Sequence, residues 1–387
     1  MSKHLVFRRV LPAVIALAAL CLQREYSLAD EMPLATTKDN APIRALLLPD
    51  GVADYPAGKI GYVTNAENGI DAIDLVTGKL FWKTAESDKP LWADKNRLVA
   101  MKGDGNNIRI LILDATKKGA LISTSKPVVF PEWVSIQNSY GHSFSYETYF
   151  LKNALLLKWE AHAHYAGGAA PSEEILADAK KDAAGVARFD LKSGQVEMVA
   201  EDKIPVLMPA VPAALRDVHS EQYALGNAYG ETKPFISRGV LGALELAQKE
   251  NRPIVVLKRW DLASGKAMKP VQLLEGVQPV FQLSLDGRYI MAVESRPKDD
   301  VPANDYAIWI FSIKTAKQIA KLPVELVTSP ASIIGTRLYS IVSENRNREF
   351  ISGGFIIGRQ LQATDLKTGA VIWQHPIEPE RILPMPM

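Results

Sequence analysis

The chain has 387 residues, 47% hydrophobic and 23% charged, a balance that excludes a disordered protein and suffices for a sizeable core. Its formal net charge is +2. Residues 1–29 hold four of the bases and one of the acids, so the remainder carries −1. Net charge therefore gives no reason to expect nucleic acid or an anionic membrane as partner. Cys21, the one cysteine, also lies in this segment. The rest of the chain has no disulfide, thiol nucleophile or cysteine-ligated metal to draw on.

In chain order, the first element is an export signal. Lys3, Arg8 and Arg9 form a basic start, and Val10 to Leu22 an apolar run broken by Pro12. Ser27-Leu28-Ala29 then offers small residues at the positions a signal peptidase reads. The run is shorter than the roughly 20 residues of a membrane-spanning helix. The expected division is a removed signal (1–29), an N-terminal extension (30–58) and one folded domain (59–387). Retention of the segment as an anchor is the alternative. After removal no stable membrane span is expected, and the protein belongs in the periplasm or outside the cell.

Beyond residue 60 one pattern recurs: an apolar strand, Asp, a spacer, Thr or Ser followed by Gly, and a second apolar strand. Ala72-Ile73-Asp74-Leu75-Val76-Thr77-Gly78-Lys79-Leu80-Phe81-Trp82 is the clearest copy. Ala363-Thr364-Asp365-Leu366-Lys367-Thr368-Gly369-Ala370-Val371-Ile372-Trp373 matches its spacing throughout. Further copies start at Phe189-Asp190 and Trp260-Asp261, with degenerate ones at Leu113-Asp114 and Phe311-Ser312. The pattern reads as a tight hairpin in which the carboxylate accepts turn amides and Gly takes positive φ. One such hairpin cannot bury its own faces, but several arranged radially can.

The Asp-x-x-Thr-Gly-x-x-x-Trp pattern resembles the repeat of pyrroloquinoline-quinone-type β-propellers. That superfamily includes quinoprotein dehydrogenases and the propeller lipoprotein of the outer-membrane barrel-assembly machine. The resemblance implies an all-β fold, a β-propeller of six four-stranded blades, or seven if a degenerate blade lies within 203–271. Members that use the quinone are longer and eight-bladed, with an adjacent cysteine pair and a calcium site. Without those features, pyrroloquinoline quinone is not an expected cofactor.

Blades are expected near 60–84, 90–125, 128–200, 203–271, 279–322 and 328–376. Each has strands a to d in order, and the inner strand of the first comes from Ile43–Leu48 or Arg381–Pro384. The c–d turns are all short, whereas the b–c segments are elaborated at Ala166–Gly185, Ile236–Arg252, Arg296–Asp305 and Glu344–Gly358. Ser172-Glu173-Glu174 reads as a capped helix start, and Val240, Leu241, Leu244 and Ala247 have amphipathic helix spacing. Two short helical inserts are thus expected in b–c loops, on the face where function is sought.

Glu160, His162 and His164 alternate along one strand and share a face. With Lys152-Asn153 as the hairpin turn, they stand opposite Ser145, Ser143 and Gly141. Imidazoles beside a carboxylate suit a divalent metal such as zinc. Trp82 and Trp373, at equivalent repeat positions, read as inter-blade packing. His142, His219 and His375 have no partner that sequence identifies. The leading expectation is a non-catalytic propeller that binds a protein or cell-envelope component through its b–c face. The alternatives are a metal-assisted hydrolase or lyase centred on Glu160, His162 and His164, and a small-molecule binder using the central channel.

Overall fold

A computed structural model describes residues 45–134, 136, 142–151, 153–163, 182–200, 211–220, 234–237, 239–277, 279–294, 307–323, 331–343 and 354–384. The signal segment, His164 and the helix expected from Ser172 lie outside them. The described chain is nearly all-β and forms six antiparallel meanders, each with strands a, b, c and d in chain order. Meander 1 comprises Gly51–Tyr55, Ile60–Thr64, Ile70–Asp74 and Leu80–Thr84. Meander 2 comprises Lys89–Asp94, Arg97–Asp104, Asn107–Asp114 and Ala120–Thr124. Meander 3 comprises His142–Leu151, Ala154–Ala163, Asp182–Asp190 and Val196–Val199. Meander 4 comprises Phe235–Ser237, Val240–Lys249, Arg252–Asp261 and Val271–Glu275. Meander 5 comprises Pro279–Leu283, Tyr289–Glu294, Ala307–Ser312 and Gln318–Pro323. Meander 6 comprises Ser332–Ile334, Arg337–Ser343, Gly354–Asp365 and Val371–Pro384. Meanders 1 and 2 merge into a ten-stranded sheet through a short parallel contact of their a strands, with Leu46–Leu48 and Val128–Val129 added.

The Asp turns recur in three dimensions. In meander 1, Asp74 Oδ1 accepts the Val76 and Thr77 amides at 2.6 and 3.0 Å, and the Gly78 amide donates to Asp74 O. Asp114, Asp190, Asp261 and Asp365 do the same in their meanders, and Ser312 takes the position in meander 5. The amide after each of these residues donates to the a–b turn of its own meander: Leu75 to Lys59 O at 2.8 Å, Leu366 to Thr336 O at 2.9 Å, and likewise in the other four. Both short turns of every meander therefore share one end, the c–d end. The b–c connections occupy the other.

Strand alternation divides each meander between two cores. In meander 2, Leu98 and Ala100 pack toward meander 1, while Val99 and Met101 pack toward meander 3. In meander 5, Ile290 and Ala292 join meander 4, and Met291 and Val293 join meander 6. Meander 1 uses Val52 and Tyr62 toward meander 2, and Ala53 and Val63 toward meander 6. Shared cores thereby link the meanders in the order 4, 5, 6, 1, 2, 3, and among the described residues none joins meander 3 to meander 4. There Tyr149, Leu156 and Val186 form one cluster, and Leu241 and Leu262 form another with Leu215 of the short helical segment 213–220.

Aromatic side chains join successive meanders where the sequence placed them. Trp373 is 8% exposed, and its Nε1 donates to Leu75 O at 3.2 Å, an acceptor shared with the Tyr339 hydroxyl at 3.0 Å. A Cβ on Gly78, which has φ +73°, would stand 2.6 Å from Trp373 Cγ. Trp82 covers Gly119 of meander 2 in the same way. Glycine is thus required both by the turn and by the indole of the preceding meander.

Several expectations are corrected. Val240–Lys249 is a strand, not a helix: Val240 to Leu244 are all buried, which fits a strand packed on both faces as well as it fits a helical stripe. Glu250 and Asn251, with φ +49° and +64°, form the two-residue hairpin turn that pairs this strand with Arg252–Asp261. A helix from Ser172 cannot extend to Gly185, because Asp182–Asp190 is a strand. The inner strand of meander 1 is Gly51–Tyr55; Leu46–Leu48 adds outside it, and Arg381–Pro384 pairs with Gly354–Ile357. Strand pairing therefore begins ahead of residue 59.

Two measurements test this account. Trp373→Ala should destabilise the protein by about 3–5 kcal/mol in urea unfolding, the usual cost of deleting a packed indole. Hydrogen bonds from the turn Thr or Ser hold the carboxyls of Asp190, Asp261 and Asp365 below the ordinary aspartate range. The folded state then binds fewer protons than the unfolded chain, whose aspartates titrate near about 3.9. Their stabilisation is complete above that pH and is lost as pH falls toward the folded values. A triple Asp→Asn variant at these positions keeps an acceptor oxygen but does not ionise. Its thermal midpoint should fall less than the parent's between about pH 5 and about pH 3.

Candidate functional site

The b–c end is uneven. In meander 3 the a, b and c strands run past d, which pairs only with Val186–Phe189. In meander 4 the b and c strands continue past the a strand, which reaches only Gly242. In meander 6 the c–d hairpin extends past Ser343, so that Gly354–Ile357 pair with Arg381–Pro384 alone. Meander 2, by contrast, turns tightly between Asp104 and Asn107.

Near this end the a strands of meanders 1, 2 and 3 enclose a cavity of about 450 Å³. Its walls include Asp50, Thr64, Lys89, Tyr146, Glu147 and Tyr149. Arg359 reaches in from meander 6 to pair with Asp50 at 2.7 Å. Lys89 Nζ lies 5.8 Å from the centre of the Tyr146 ring, and Glu147 accepts the Tyr149 hydroxyl. Burial, reinforced by the charges of Asp50 and Asp88, pushes the Tyr146 phenol up to about 12, so it remains neutral. Burial likewise raises the Asp88 carboxyl, against the opposing Gly103 amide hydrogen bond. Both charge signs therefore line the cavity, with a neutral phenol between them.

The expected metal residues are only partly brought together. Ser145 faces Glu160 and Ser143 faces His162, the register that a turn at Lys152-Asn153 requires. Glu160 lies 3.8 Å from Lys158, and the His162 Nδ1 hydrogen-bonds to Asp182 at 2.8 Å, both partners well exposed. His164 is outside the described residues, and among those described no group of three candidate metal ligands occurs. These side chains stand away from the cavity walls.

Sequence reasoning did not find the cavity residues. They come from the a strands of meanders 2 and 3, the turn before the a strand of meander 1 and the end of its b strand, segments that carry no repeat motif, and they meet only when three meanders pack together. It also left His375 without a partner. The structure supplies Asp71 of meander 1, bonded to His375 Nε2 at 2.8 Å and to Asn65 Nδ2 at 2.7 Å, all three groups buried.

No family model and no curated protein matches the chain. Among solved structures it is similar to the apo form of the isopeptidase AtxE2, with 13% identity, a TM-score of 0.40, and coverage of 88% of this chain and 52% of that one. It is also similar to TolB from Acinetobacter baumannii, with 13% identity, a TM-score of 0.28 and coverage of 84% and 64%. BamB from Moraxella catarrhalis gives 11% identity, a TM-score of 0.22 and coverage of 84% and 75%. The chain spans about half the length of the isopeptidase it matches. No helix among the described residues is long and apolar enough to cross a membrane.

Proposed function

We propose that the six meanders are the blades of one β-propeller of the quinoprotein-repeat type, and that this exported protein binds a protein or other cell-envelope component through its b–c end without catalysing a reaction. The five Asp turns with their Ser312 counterpart, and the sharing of cores between successive meanders, support the propeller. The binding role is carried by the uneven height of the b–c end, where strands of meanders 3, 4 and 6 run past their neighbours, whereas the c–d turns repeat one hydrogen-bond pattern. Projecting, irregular segments on a rigid scaffold are where recognition concentrates. Their exposed backbone edges also favour partners that add a strand. The periplasm or the cell exterior remains the compartment this reading requires.

Site-specific photocrosslinking in cells tests it. Photoreactive residues at Asp104 and Glu250, both exposed at the b–c end, should give discrete protein adducts, whereas the same probe at Ser193 or Ser264 of the c–d turns should not. Protein adducts from the c–d positions alone would overturn the assignment.

The cavity supports a second reading, a small polar ligand carrying both charge signs, since Asp50, Lys89 and Glu147 converge there. Native mass spectrometry of the purified chain should then reveal a bound small molecule, absent from a Thr148→Trp variant whose indole occupies the space. A chain that carries no such mass, and takes none up from an envelope extract, would remove this reading.

A further inference from the structure

Every meander carries an exposed lysine at the c–d end. In meanders 6, 1 and 2, which follow one another in the order of shared cores, these are Lys59, Lys79, Lys95, Lys117, Lys118 and Lys367. Taking the a–b and c–d turns with their flanking strand ends, the described residues hold fourteen Lys or Arg against eight Asp, a surplus of six. The whole chain, by contrast, is nearly neutral.

Depth separates the charges further. The turn aspartates are half-buried and occupied by backbone amides, and Asp54 is 4% exposed and accepts the Lys59 and Ile60 amides. Asp94 and Asp286 pair with Arg97 and Arg288. Of the six lysines, only Lys117 has a carboxylate in ion-pair range among the described residues, that of its own turn at 3.5 Å.

Apolar side chains stand beside these lysines. The d strands of the same three meanders open with exposed pairs: Leu80 and Phe81 at 43% and 48%, Leu121 and Ile122 at 48% and 55%, Val371 and Ile372 at 48% and 39%. Val76, within the meander 1 turn, is 48% exposed. At about 3.3 Å per residue, each pair lies within roughly 10 Å of its turn along the strand. In the d strands of meanders 3, 4 and 5, Val196, Val271, Leu273 and Ile319 are half-buried, and Met198 stands exposed without an apolar neighbour in its strand of the same exposure.

We propose that the c–d end of meanders 6, 1 and 2 docks on an anionic lipid bilayer. A polyanion alone would satisfy the lysines but leave the apolar pairs in water. A bilayer surface takes both, with lysines at the anionic headgroups and the apolar side chains at the headgroup–acyl boundary, roughly 5–10 Å deep. This surface is opposite the b–c end and does not depend on what that end binds.

Cosedimentation of the full chain with lipid vesicles tests the proposal. Vesicles of equal parts phosphatidylglycerol and phosphatidylcholine should capture roughly tenfold more protein than phosphatidylcholine alone, a preference that fades toward about 1 M salt. The triple variant Lys79→Glu, Lys118→Glu, Lys367→Glu should lose that preference. Phe81→Ser with Ile122→Ser should lower capture severalfold while leaving the thermal midpoint unchanged, as expected for exposed side chains. Since all variants keep residues 1–29, any contribution of that segment is common to them. Retention of the preference by the lysine variant would overturn the proposal. So would unchanged capture by the serine variant together with full displacement by heparin, which would mark a polyanion site instead.

Discussion

The fold depends on one constraint: no meander can bury both of its faces alone. Alternation along Leu98 to Met101 sends successive side chains to two different cores, and the same happens along Ile290 to Val293. A sheet built this way must be flanked on both sides, so a linear stack would leave its first and last members exposed. Contact between meanders 6 and 1 joins the last meander in the chain to the first, leaving meanders 3 and 4 at the ends of the described series. It is secured by a shared apolar cluster, by the Trp373 and Tyr339 hydrogen bonds to Leu75 O, and by Ser332 Oγ donating to Leu47 O at 2.6 Å.

The same seam contains most of the polar groups buried between meanders. Asp71 is held by His375 and Asn65, while Gln374 donates to Gln362 and Gln362 to Thr364. Each such group would be costly if unpartnered in a dry interface. Because Asp71 and His375 lie 304 positions apart in the chain, their hydrogen bond is made only in one register of meander 6 against meander 1. Apolar packing would tolerate some sliding, whereas this network does not.

Much of the fold was legible because its repeat is local. Asp74 to Trp82 and Asp365 to Trp373 contain turn, strand and packing residue within one short stretch, so spacing alone revealed them. The Ser143–His162 register followed from a single turn. Val240–Leu244 misled because a continuous apolar run is compatible with helix or buried strand, and the decisive signal was the turn at Glu250-Asn251 beyond it. The inner strand Gly51–Tyr55 was missed because it lies next to an Asp-Gly turn in a stretch with no repeat motif. The cavity residues and the His375 partner are products of packing between meanders, to which no local pattern points.

Net charge says little about the surface for a related reason. A sum near zero describes a chain whose charges are mixed, or one whose charges are sorted, and sequence order does not separate the two. Here the repeat does the sorting. Five of the six c–d turns hold one carboxylate beneath their amides, which fixes an acid in the half-buried layer and leaves the outward positions to residues such as Lys79, Lys118 and Lys367. The same bonds recur from one c–d turn to the next, so these turns are alike. The b–c connections differ from one another: in meander 1 Asn65 Oδ1 accepts the Glu67 and Gly69 amides, and lengths run from the two residues after Lys249 to the eighteen between Ala163 and Asp182. One end is thus uniform and suited to an extended surface, the other individual and suited to a specific partner.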